Sequence, residues 1–192
     1  MTPQDITQTL TSLFGSTVQV AEPESWQVEN DGLRLLVLLS DDQTWVRALA
    51  SIVSAQEAEP FFNQLLEANF DETQETRYAI CQGVLWGVFQ HSAASLTTED
   101  FEAAIARLIA LQESGLSPSF NQLAESQIRQ IIRTAKLQGQ SLEATMQMLD
   151  RLYEEGVMGD VDLPAAQREQ VLGAWRYQLE RLWNQVETFG EE

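Results

Sequence analysis

Residues 25–53 constrain the fold more than any other part of the chain. Trp26 and Val28 alternate with polar neighbours over 25–30. Asn30-Asp31-Gly32 then contains Asp-Gly, the pair whose tolerance of positive φ suits a tight hairpin turn. Residues 33–40 read LRLLVLLS, a nearly continuous apolar run of the kind found in strands covered on both faces. Asp41-Asp42-Gln43 supplies a second turn. Residues 44–53 alternate again, with Val46, Ala48, Ala50 and Ile52 on one face and Trp45, Arg47 and Leu49 on the other. Three strands joined by such short turns must run antiparallel, because parallel neighbours need a crossover of about a dozen residues or more.

Helical patterns flank this block. Ile6, Leu10, Leu13 and Phe14 recur at helical spacing, with Thr2 or Asp5 as cap and Gly15 as stop. A short strand fits 17–20. A second helix is expected over 57–69, with Pro60 in its first turn and Phe61, Phe62, Leu65 and Leu66 as its apolar stripe. A hairpin follows, 77–81 and 84–91, turning at Gln82-Gly83. Thr97 and Asp100 have capping-box spacing before a helix carrying Phe101, Ala104, Ile105, Leu108, Ile109 and Leu111, which ends near Gly115. The expected architecture is therefore an α+β domain over 1–117, with one antiparallel sheet in the order α-β-β-β-α-β-β-α.

Residues 118–192 read as a three-helix extension. The first helix, over 119–139, carries Phe120, Leu123, Ile128, Ile131, Ile132 and Ala135. The second carries Leu142, Met146, Leu149, Leu152 and Tyr153 and closes at Gly156. Gly159–Asp162 is a loop, and Pro164 opens the last helix. Leu172, Trp175, Leu179, Leu182, Val186 and Phe189 follow there at spacings of 3, 4, 3, 4 and 3, a heptad pattern. That seam either packs on its neighbours or docks a partner.

Charge excludes whole classes of function. The chain has 29 acidic and 11 basic side chains, a formal net charge of −18. It has no electrostatic footprint for nucleic acid or an anionic membrane surface. One cysteine, Cys81, makes no internal disulfide, and residues 1–5 lack the basic start of a signal peptide, so a cytoplasmic location is expected. One histidine, His91, leaves no His/Cys metal cluster, and no glycine-rich phosphate loop occurs. Asp41/Asp42, Glu57/Glu59 and Asp71/Glu72/Glu75 are acidic groups at turns and helix starts. Asp160-Val161-Asp162 has only half the pattern of a calcium loop. No cofactor or metal is expected. Residues 1–117 hold 17 acids against four arginines, and 54–76 hold six acids and no base, which points to partner segments with basic flanks.

Three sets of side chains are candidate partner contacts. Trp26, Trp45 and Trp86 fall on three strands, and helices on one face of the sheet would leave some of them pointing outward. Arg129, Arg133 and Lys136 share one helix face, as a solvated stripe, an internal pairing or a dock for an acidic partner. Trp175, Leu179 and Trp183 strengthen the terminal heptad as a binding seam, since Trp is enriched at interface hot spots.

The element order over 1–117 resembles the CesT/Tir-type chaperones of type III secretion and the YbjN-like proteins of the same fold. Three local features carry the resemblance: Leu65-Leu66-Glu67-Ala68-Asn69-Phe70, the hairpin from Arg77 to Trp86, and Leu96-Thr97-Thr98-Glu99-Asp100-Phe101. The resemblance implies a homodimer that holds an extended partner segment on apolar patches. It implies that the first helix, with Leu10 and Phe14, and the adjoining strands bind the partner. The second helix and strand 84–89 would form the dimer contact. The helical stretch 118–192 departs from that compact pattern. The expected function is thus a non-enzymatic, chaperone-like protein-binding module. The alternatives are an assembly subunit docking through its C-terminal helices, or an enzyme using clustered carboxylates.

Overall fold

The computed structural model describes residues 1–21, 24–30, 32–154 and 165–187; of 153, 154 and 165–171 only the backbone is described. Asp31, Gly156, Gly159–Asp162, Pro164 and Phe189 lie outside the described residues, as does the side chain of Tyr153. The chain divides into two compact units, Met1–Phe120 and Asn121–Glu192.

The first unit opens with α1 (Pro3–Phe14). Thr2 Oγ1 accepts from the Asp5 N–H at 3.2 Å, and Asp5 Oδ2 accepts from the Thr2 N–H at 2.8 Å. This reciprocal capping box satisfies two groups that a helix start leaves orphaned. Four strands follow: β1 (Val18–Ala21), β2 (Ser25–Asn30), β3 (Leu33–Leu39) and β4 (Trp45–Ser54). Next come α2 (Ala55–Ala58), a 3₁₀ turn at Glu59–Phe61, and α3 (Phe62–Asp71). The single helix expected over 57–69 is therefore split. Ser54 caps α2 through its hydroxyl, and Pro60, which cannot donate to the helical ladder, sits in the 3₁₀ turn.

The hairpin β5 (Thr76–Cys81) and β6 (Val84–Ser92) turns at Gln82 and Gly83, with φ of 51° and 75°. Positive φ at both central residues marks the turn that matches strand twist, and glycine accepts it without strain. Finally α4 (Thr98–Ser114) is capped by Thr97, whose hydroxyl accepts from the Asp100 N–H at 3.1 Å.

All six strands form one antiparallel sheet in the order β1-β2-β3-β4-β6-β5. β1 makes it one strand larger than the order expected from sequence. The pairing sorts side chains into two faces. Trp26, Val28, Leu35, Val37, Val46, Ala48, Ala50 and Phe89 are buried in one core with Ile6 and Leu10 of α1 and Phe101, Ile105 and Leu108 of α4. On the same side, Leu65 of α3 packs with Ala58 and Leu85. The opposite face, with Leu36, Leu38, Trp45, Leu49 and Trp86 half-buried, has no helix of the first unit packed on it. Coverage of the 33–40 run on both faces is thus not met within this unit.

Gly87 lets β6 approach α4. A Cβ there would lie 3.2 Å from Leu108 Cδ2 and 3.5 Å from Leu111 Cδ1. Gly87→Val should therefore destabilise the protein by about 1–3 kcal/mol through overpacking, measured as a lower urea midpoint at unchanged slope. An unchanged midpoint would show that α4 can retreat freely.

The second unit contains α6 (Leu142–Glu154), α7 (Ala165–Trp183) and most of α5 (Ser117–Leu137). Ile128, Ile132, Leu149, Leu179, Leu182 and Val186 form its core. Of the described heptad positions, Leu179, Leu182 and Val186 are thus interior, and Leu172 and Trp175 are half-buried. The interior three pack on α5 and α6 and do not form an exposed docking seam.

Candidate partner-binding surfaces

Three surfaces of the first unit remain after its core is assembled. The first is an open groove of about 690 Å³ between α1 and β1. Thr7 and Thr11 line one wall, Val20 and Ala21 the other, and Trp26 lies at its base. β1 is an outermost strand, and among the described residues no other strand pairs with its far side. Val20 is 60% exposed there.

The opposite edge is built differently. Asn69 Nδ2 donates to the Tyr78 carbonyl at 3.1 Å, and Asn69 Oδ1 accepts from the Tyr78 N–H at 2.7 Å. One side chain thereby occupies both outward backbone groups of a β5 residue, as a further strand would, and blunts that edge. Beside it lies the second surface, a hollow of about 190 Å³ with Phe62, Leu65 and Leu66 of α3 facing Tyr78, Ile80 and Leu85. Large apolar side chains stand exposed on α3 and β5: Phe70 is 92% exposed, Leu66 67% and Ile80 49%. Burial, with a smaller contribution from Glu72, pushes the Tyr78 hydroxyl above the ordinary tyrosine range.

The third surface is the sheet face on which no helix of the first unit packs. Trp45 and Trp86 are half-buried on it. Arg47 lies over the Trp45 ring at 4.7 Å, and the Trp86 indole N–H donates to the Cys81 carbonyl at 3.2 Å.

The residues expected to meet a partner divide sharply. Trp45 and Trp86 are on the accessible face. Leu10, Trp26 and Leu179 are interior instead: each is at most 1% exposed and belongs to a core, although Trp26 also floors the groove. Trp26 also donates its indole N–H to Thr7 Oγ1 at 2.8 Å, joining β2 to α1. Phe14 is half-buried against the first core, and Trp175 and Trp183 against the second.

The basic stripe is largely spent within its own unit. Glu125 accepts from Arg129 at 2.8 Å and from Arg181 at 2.7 Å, and these two guanidinium groups, Arg181 first, hold its carboxyl below the ordinary range. Lys136 donates to the Val186 carbonyl at 2.8 Å and sits 5.3 Å from the Trp183 ring centre. Arg133 is exposed and makes no ion pair with the described residues.

Val20, Phe70 and Ile80, all exposed, were not singled out from the sequence. For Phe70 a signal existed: Leu66 and Phe70 are four residues apart, on the side of α3 away from Leu65 and Ala68.

Among the described residues, no three His, Cys, Asp or Glu side chains are grouped to hold a metal. Hydrogen bonds from Ser40 and Thr44 hold Asp42 below the ordinary carboxyl range, and Thr2 does the same for Asp5. His91 stacks on Phe89 with ring centres 6.0 Å apart, and Cys81 is exposed at the β5–β6 turn. Among the described residues, no helix is long and apolar enough to cross a membrane.

No protein-family model and no curated protein matches this chain. Solved structures do, among them the following two. One is the ExsC–ExsE complex, at 22% identity and a TM-score of 0.47, covering 58% of this chain and 90% of the solved one. The other is the HopA1–SchA chaperone–effector complex, at 7% identity and a TM-score of 0.46, covering 59% and 94%. The element order of the first unit is the one that the resemblance to secretion chaperones implies, with β1 added and the second helix split.

Proposed function

We propose that the first unit is a non-enzymatic, chaperone-like module of the cytoplasm that holds an extended, apolar segment of a partner protein along β1. The observation that carries this reading is the contrast between the two sheet edges. Asn69 occupies the outward backbone groups of Tyr78 on β5, whereas β1 lies beside a groove of about 690 Å³. Strand addition draws affinity from main-chain hydrogen bonds and specificity from pockets for alternate side chains. Among the described residues, Glu24 lines the groove and no Lys or Arg does, which suits a segment with basic flanks. The exposed side chains of Leu66, Phe70 and Ile80 support a homodimer contact at the other end of the sheet.

A photo-crosslinking amino acid placed at Val20 in the native cell tests the groove. A discrete protein adduct is expected, absent when the same group replaces Glu113 on α4. Val20→Arg should weaken binding of the captured protein at least about tenfold, because it removes an apolar contact and repels a basic flank. Smeared, non-specific adducts at both positions would sink the proposal.

A further inference from the structure

We propose that the sheet face left bare by the first unit's own helices is a second docking surface, separate from the groove, and that its occupant is an acidic, leucine-rich segment of a partner protein. Charge segregation is the first argument. The first unit contains only four basic side chains, and three of them, Arg34, Arg47 and Arg77, stand on this one face. Of the unit's 17 acids, Glu29 alone is on the face among the described residues. A strongly acidic protein thus presents one patch of opposite sign.

Apolar content is the second argument. Cross-strand partners on this face run Leu36, Leu49, Val88 and then Arg77 across β3, β4, β6 and β5. Leu38, Arg47 and Gln90 form the row beside it. Trp45 and Trp86 flank these rows. The uninterrupted apolar run of β3 belongs to a strand covered on both faces, and the first unit's own helices cover only one. Leu36 and Leu38 are the side chains left over.

The arginines are also poised for a carboxylate. Gln90 Oε1, a neutral acceptor, receives Arg47 at 3.2 Å and Arg77 at 3.5 Å. Arg34 meets Glu29 only at 3.5 Å, with both side chains well exposed. A carboxylate above Gln90 would receive both guanidinium groups in charge-assisted hydrogen bonds, which are stronger than bonds to an amide. Leucines on the same segment would lie on Leu36, Leu49 and Trp86.

The test uses the full chain and two short synthetic peptides, one alternating Leu and Glu, the other Leu and Lys. Indole N–H resonances of the tryptophans report the site. The Leu/Glu peptide is expected to shift Trp45 and Trp86 and leave Trp26 unmoved, against the protein's overall charge. R47E/R77E should weaken this binding at least about tenfold, since both pairs become repulsive. V20R should leave it unchanged, which separates this face from the β1 groove. An unshifted Trp26 resonance in R47E/R77E verifies folding; if it moves, R47Q/R77Q replaces that variant and should weaken binding several-fold. Stronger shifts with the Leu/Lys peptide, or equal Leu/Glu binding by the charge variant, would overturn the proposal. So would self-association of the chain at this face that R47E/R77E abolishes while the peptide has no effect, since the occupant would then be a second copy.

Discussion

Trp26→Ala is expected to lower the unfolding free energy by about 3–5 kcal/mol, the range for deleting a large buried aromatic side chain. Trp26 is 1% exposed and lies in the core shared by α1, the sheet and α4. Its indole N–H also ties β2 to α1 through Thr7. A domain of this kind has only about 5–15 kcal/mol to lose, so W26A should leave a substantial unfolded population near physiological temperature. Trp26→Phe should cost less. It keeps most of the apolar area, and Thr7 Oγ1 still donates to the Pro3 carbonyl at 2.9 Å, so the lost indole bond costs about 1 kcal/mol. Urea unfolding of both variants measures the difference. If W26A unfolds like the parent and only partner binding weakens, Trp26 is a surface contact and the core described above is wrong.

Phe70→Glu carries the second large effect. The parent chain is expected to sediment as a homodimer through α3 and β5, and F70E as a monomer. Leu66 and Ile80 line the α3–β5 hollow, and Phe70 stands exposed one turn beyond Leu66 on α3. A two-fold interface uses the same patch twice, so a single substitution removes two aromatic contacts. It also places two carboxylates among the Glu67 and Asp71 side chains of the same helix ends. Loss of two such anchors corresponds to a dimerisation constant weaker by roughly two to three orders of magnitude. Stability of the isolated fold should change by no more than about 0.5 kcal/mol, because Phe70 is already solvated there. Analytical ultracentrifugation across a concentration series separates the outcomes. A parent chain that is monomeric at all concentrations would remove the dimer from the proposal.

Both predictions turn on residues whose surroundings were unevenly legible. Secondary structure was readable because its signals are local. Thr2 with Asp5, Thr97 with Asp100, Gly15 and Gln82-Gly83 each act within a few residues, and each stands at the helix end or turn expected of it. The split of the second helix was less legible. Pro60 is compatible with a helix start, and only the capping of α2 by Ser54 moves that start far enough upstream to make Pro60 interior. Asn69 gave no signal of its role at all. Its pairing with Tyr78 depends on α3 lying against β5, a non-local placement.

What the sequence determined by itself is the α+β class, the antiparallel run of strands, the helical remainder and a net charge of −18. Period-two alternation also divides each strand into two sides. It does not say which side the helices will cover. That choice belongs to the tertiary structure, because it depends on register across six strands and on where α1 and α4 land. It sent Trp26 inward while leaving Trp45 and Trp86 outward, and it buried Leu179 and Val186 of the terminal heptad. It also drew Arg34, Arg47 and Arg77, 43 positions apart along the chain from first to last, onto one face. Net charge is a property of composition, but a patch of opposite sign exists only once strand pairing has brought those three arginines together.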